Sequence, residues 1–119
     1  MKKLLAFFLV LLLSTNQIAM AHTNLINSNP KSGATLKLLP KKIWVEFDGN
    51  IISLGNYEIN KLSIIGPKGE YVIGKPAIKG SRLSSETKTS NDKGNYTITY
   101  RIVSEDGHPI SGKIKFKIN

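Results

Sequence analysis

The chain has 119 residues, with 17 Lys and Arg against 8 Asp and Glu, a formal net charge of +9, and no cysteine. That length accommodates one small domain and not two, and 40% hydrophobic residues are enough for a packed core. The missing thiol excludes a disulfide framework, a thiolate metal site and a cysteine nucleophile.

Lys2 and Lys3 precede an apolar run from Leu4 to Leu13, followed by a polar stretch and Ala19-Met20-Ala21. The run is too short to cross a bilayer, and small residues stand at both positions a signal peptidase reads. Residues 1–21 are therefore expected to be a cleaved secretory signal, and residues 22–119 a single exported domain that does not span the membrane. Removing 21 residues leaves 98, and Lys2 and Lys3 leave with the signal. The remaining fifteen basic residues against eight acidic ones give the processed chain a net charge of +7. The lysines are dispersed along the chain. That dispersal favours lysine on the wet faces of strands over attraction to an anionic partner, a membrane surface or nucleic acid, and no nucleic-acid partner is expected.

No window after residue 21 has convincing helical periodicity, and several alternate with period two. Residues 24–28 read as a first strand, closed by the turn-rich Asn29-Pro30-Lys31-Ser32-Gly33. Residues 42–47 put Ile43, Val45 and Phe47 on one face and Lys42, Trp44 and Glu46 on the other. Residues 51–59 read as a loop or a short strand. Residues 62–65 and 71–73 flank Gly66-Pro67-Lys68-Gly69 as a hairpin. Residues 81–89 are polar, as in an edge strand or a mobile connection. The strongest pattern is 96–103, where Tyr96, Ile98, Tyr100 and Ile102 share a face. Residues 110–118 close the domain, with Lys113, Lys115 and Lys117 alternating with apolar residues.

About seven short strands predict an all-β fold, an immunoglobulin-like antiparallel β-sandwich with Greek-key connections. Asp92-Lys93-Gly94-Asn95-Tyr96 fits the tyrosine corner of such sandwiches, and Ile98 stands where antibody domains place a cysteine. The core must therefore hold by packing alone.

Only two histidines occur, His22 and His108. Cleavage after Ala21 would leave His22 with a free α-amino group, and that amine chelates a metal together with its own imidazole. His108 lies in Asp106-Gly107-His108, two residues from a carboxylate, and a locally extended segment points both side chains the same way. Three nitrogens and one oxygen from His22, His108 and Asp106 suit Cu(II), which heads the divalent affinity order. The amine, with an ordinary pKa of about 8, must lose its proton to bind. Met1 and Met20 are the only methionines and both leave with the signal, so the processed chain lacks the soft ligands that Cu(I) prefers. Each residue also has a plain structural reading, His22 as a frayed terminus and 106–109 as a turn. The copper reading uses both, and no other histidine dilutes the pairing.

At these residues the chain resembles the CopC family of periplasmic copper-binding proteins. The stretches that carry the resemblance are His22, residues 29–34, 45–47 and 94–96, and above all Tyr100-Arg101-Ile102-Val103-Ser104-Glu105-Asp106-Gly107-His108-Pro109-Ile110-Ser111-Gly112. The resemblance implies a seven-stranded β-sandwich that binds one Cu(II) through His22, Asp106 and His108 without being an enzyme. It also implies a role in copper resistance, storage or delivery in the periplasm, beside a CopD-type inner-membrane copper transporter. Two departures stand out. The methionine-rich loop of some relatives is missing, and Gly49 stands where some place a glutamate near copper. The competing readings are a metal-free immunoglobulin-like recognition module and a copper enzyme like the lytic polysaccharide monooxygenases. The enzyme reading is disfavoured because Asp106 would hold a coordination position and stabilise Cu(II) against reduction.

Overall fold

The computed structural model describes residues 23–55 and 57–119, so the expected signal and His22 lie outside the described residues. Among the described residues nine strands form in chain order: β1 (Leu25–Asn29), β2 (Thr35–Leu36), β3 (Lys42–Phe47), β4 (Lys61–Gly66), β5 (Gly69–Glu70), β6 (Val72–Lys79), β7 (Arg82–Thr87), β8 (Gly94–Val103) and β9 (Pro109–Ile118). They make two sheets, β1-β3-β7-β6 and β2-β9-β8-β4-β5. Every pairing is antiparallel except that of β2 with β9. Setting aside the two-residue strands β2 and β5 leaves seven, and lettering those A to G gives A-B-E-D over G-F-C. That is the Greek-key arrangement of an immunoglobulin constant-type sandwich.

Alternation decides what enters the core. Ile43, Val45 and Phe47 of β3 are buried, as are Tyr96, Ile98, Tyr100 and Ile102 of β8 and Ile114, Phe116 and Ile118 of β9. Leu39, Leu62, Ile64 and Leu83 complete the space between the sheets. Aromatic rings tie this core together. Tyr96 stacks on Phe116 with centroids 5.1 Å apart, and Phe47 meets Tyr100 edge-on at 5.6 Å. The tyrosine corner forms as expected, with the Tyr96 hydroxyl donating to the Asp92 carbonyl at 2.6 Å. Gly112 lies opposite Tyr100 in the β8–β9 ladder, and a Cβ there would come within 2.2 Å of the Tyr100 oxygen. The missing side chain is what lets the Tyr100 ring lie over β9.

Two strand readings need correction. Residues 82–87 are not an edge strand, because β7 lies between β3 and β6. Its inward side is Leu83, Ser85 and Thr87, and small hydroxyl side chains made a buried strand read as a surface one. The hairpin after Gly66 is shorter than expected. Gly69–Glu70 pairs back on β4, the Tyr71 amide adds one bond to the Ile64 carbonyl at 3.0 Å, and from Val72 the chain crosses to the other sheet. Gly74 and Pro76 disguised the crossing strand β6, and they sit where its register with β7 shifts between Ile73 and Ala77.

Candidate metal centre

The turn between β8 and β9 is built by the residues 104–108 themselves. The Gly107 amide donates to the Ser104 carbonyl at 2.8 Å, and the Ser104 amide to the His108 carbonyl at 3.1 Å. Gly107 sits at φ +83°, which glycine adopts without strain. Asp106 organises the turn from inside. Its Oδ1 accepts from the Ser104 hydroxyl and from the His108 amide (3.1 Å), while Oδ2 lies 3.1 Å from His108 Nδ1. These donors, the Ser104 hydroxyl foremost, hold the Asp106 carboxyl below the usual carboxylate range against the opposing effect of desolvation. The imidazole and carboxylate thus face one another, as the two-residue spacing predicts, and both remain open to solvent, with side-chain exposures of 67% for His108 and 40% for Asp106.

A second segment braces this turn. Residues 50–52 run beside it through an Ile51–Ser104 bridge, an Ile52 amide bond to Val103 (3.0 Å) and a Glu105 amide bond to Asn50 (3.2 Å). The Asn50 amide side chain adds a bond to Glu105 Oε1 at 3.2 Å. The same segment receives the start of β1. The Asn24 amide donates to Asp48 Oδ1 at 2.7 Å, and the Asp48 amide returns a bond to the Asn24 carbonyl at 2.9 Å. At Gly49 an added Cβ would meet the Thr23 hydroxyl at 3.1 Å. Residues 48–52 therefore touch both Thr23, the neighbour of His22, and the Asp-Gly-His turn.

Of the three expected ligand residues, the structure places Asp106 and His108 together, and His22 lies outside the described residues. Among the described residues no group of three or more His, Cys, Asp or Glu side chains could hold a metal ion. Gly49 lies against Thr23 and offers no side chain to a metal. Its neighbours are engaged elsewhere, Asp48 with Asn24 and Glu46 with Arg82 at 3.4 Å on the outer face. Sequence reasoning missed Ser104, although a hydroxyl two residues before an aspartate in a turn is a readable signal. It also missed the Asn50–Glu105 latch, which joins residues 55 apart and leaves no local trace.

Among known proteins, the family model of the CopC domain matches residues 25–119. Copper resistance protein C of Pseudomonas syringae pv. tomato is 26% identical over 106 residues, covering 85% of this chain and 83% of that protein. Copper transport protein CutJ of Bacillus subtilis (strain 168) is 29% identical over 119 residues, 97% of this chain but only 21% of that longer protein. The crystal structure of CopC from Methylosinus trichosporium OB3b superposes with a TM-score of 0.68 at 23% identity, over 82% of this chain and 94% of that one. PcoC, a methionine-rich copper resistance protein from Escherichia coli, superposes with a TM-score of 0.62 at 24% identity, over 83% and 100%. These superpositions confirm the sandwich. The match over 25–119 carries the assignment: the chain belongs to the CopC domain family, a copper-related family and not one of enzymes.

Proposed function

We propose that this chain is a periplasmic Cu(II)-binding protein that takes up one copper ion once residues 1–21 have been removed. The ligands are the His22 amine and imidazole, the His108 imidazole and the Asp106 carboxylate. Copper is cargo here, held for resistance, storage or delivery to a CopD-type transporter in the inner membrane. One observation carries the reading. Thr23, one peptide bond from His22, packs on the segment that braces the Asp106–His108 turn.

The turn suits this task. Asp106 Oδ1 is committed to the Ser104 hydroxyl and the His108 amide, which leaves Oδ2 as the oxygen with the lighter engagement. With its pKa lowered, the carboxylate is charged and ready across the neutral range. Hard oxygen and imidazole nitrogen favour Cu(II), and no cysteine or mature methionine competes for Cu(I).

The test compares Cu(II) titrations of chain beginning at His22 and chain carrying one extra N-terminal residue. The expected result is one equivalent bound tightly by the first and much weaker binding by the second, because an internal amide does not replace the amine. Equal affinity for both overturns the proposed ligand set.

A further inference from the structure

The cations that look dispersed in the sequence are sorted by the fold. The outward positions of β4, β8 and β9 carry Lys61, Arg101, Lys113, Lys115 and Lys117, all exposed. No Asp or Glu occupies any position of these three strands. Lys61 and Arg101 stand directly opposite one another, so like charges face each other across the ladder. Lys113, Lys115 and Lys117 recur along β9 about 6.8 Å apart. Glu70, at the β5 edge, turns its carboxylate to the Ile64 and Val72 amides. None of the five joins an ion pair found among the described residues.

The other sheet shows that this is not a general property of the surface. On its outer face Glu46 pairs with Arg82, Lys42 lies opposite Glu86, and Lys75 is bound to Glu58 at 2.8 Å. Three of the four strand cations there face or bind an acid, and Lys79 is the exception, standing opposite Arg82. On the five-stranded sheet none of the five does so among the described residues.

We propose that the outer face of the β4–β8–β9 sheet is a docking surface for an anionic phospholipid bilayer. Charge complementarity selects the occupant. The face offers five cations, four of them on long lysine stems, interleaved with Ser63, Thr97, Thr99 and Ser111. A bilayer surface needs charge spread over an area and no shaped anchor, and adsorbed lysines contribute roughly additively. A protein partner instead concentrates its affinity in buried aromatic or arginine anchors, and the outward positions of these strands hold no aromatic residue. The geometry also places the 104–108 turn at the rim of this face, directly after Arg101 and Val103 on β8. Adsorption would bring that turn to the membrane surface. The surface itself requires none of the proposed copper ligands.

The test is vesicle co-sedimentation of the chain beginning at His22, which contains the whole sandwich and lacks the apolar leader. Vesicles of pure phosphatidylcholine are compared with vesicles containing about one third phosphatidylglycerol. Binding is expected only to the anionic vesicles and is expected to vanish as NaCl rises from about 0.05 to about 0.5 M. Replacing Lys113, Lys115 and Lys117 by Gln should lower the partition coefficient roughly a hundredfold. The equal-charge control, Lys42→Gln with Lys75→Gln and Lys79→Gln, should change it much less. A second variant, Lys61→Gln with Arg101→Gln, should weaken binding without touching β9. Cu(II) titration of each variant, expected unchanged, separates failure of this surface from failure of the copper reading. Equal losses in the β9 and control triples, or no preference for anionic vesicles, overturn the proposal. Binding to polyglutamate without binding to vesicles would also overturn it and point to an acidic protein.

Discussion

Asp92 and Asp106 sit at opposite ends of β8, and both carboxyls are held below the usual range. They reach that state by different routes. Asp92 is held by distant residues: the Tyr71 hydroxyl donates to it at 2.7 Å from 21 residues away, and Lys68 Nζ lies at 3.0 Å. Tyr71 in turn packs on Tyr96, whose hydroxyl closes the corner on the Asp92 carbonyl. Asp106 is held by Ser104 and His108, each two residues away. A carboxylate tied to the distant 68–71 segment cannot be released without loosening the sandwich. One tied to its own turn can change partners while the strands stay put. The first arrangement is a structural cross-link, and the second fits the ligand role proposed for Asp106.

The largest effect should come from Tyr96→Ala at the structural end. It empties a buried ring site and removes the corner, and should lower stability by about 3–5 kcal/mol in denaturant unfolding. Copper affinity of the molecules that stay folded should be unchanged. His108→Ala, at the other end, should reverse the pattern. Cu(II) affinity should fall by more than about a hundredfold, beyond what changes outside the direct ligands usually cost, with the unfolding midpoint preserved. Loss of both properties in either variant would erase the distinction between the two ends.

A smaller effect is expected from Asp106→Asn, which keeps an acceptor for Ser104 and His108 but removes the charge. Competition titration should show Cu(II) affinity about ten- to a hundredfold weaker. Unaltered affinity would limit Asp106 to shaping the turn. The smallest effect concerns acid. The Asp92 pKa is lowered in the folded state, chiefly by the Tyr71 hydroxyl and then by Lys68. Its stabilisation is therefore fully present above the unfolded value of about 3.9 and is lost as pH falls through the folded value. Melting temperatures of the parent chain and Asp92→Asn should differ near neutral pH and converge below about pH 4. A constant gap would show that the Asp92 charge does not contribute.

Much of the fold was legible because its strongest strands alternate cleanly. The period-two patterns at 42–47, 96–103 and 110–118 match β3, β8 and β9 closely, and the corner motif at 92–96 closes as expected. Legibility failed where the local signal was blunted. β7 buries Ser85 and Thr87 rather than large apolar residues, and β6 carries Gly74 and Pro76 at a register shift. The Asp106–His108 pair was legible because two-residue spacing in a turn brings the side chains together. The brace from 50–52 was not, since Asn50 and Glu105 meet only after the chain has folded back over 55 positions.

Local order along the chain thus determined which side of each strand is apolar, where the tight turns fall, and that an aspartate and a histidine share one of them. Period and turn chemistry depend on near neighbours alone, so they can be read before any folding. Tertiary structure decided which strands became neighbours, and with that the two arrangements on which both proposals rest. It brought the residue beside His22 onto the segment that braces the Asp-Gly-His turn, and it gathered unpaired cations onto one sheet while setting most of those on the other against acids. Pairing between strands is set by burial across the whole sandwich, and no short stretch of sequence contains that information.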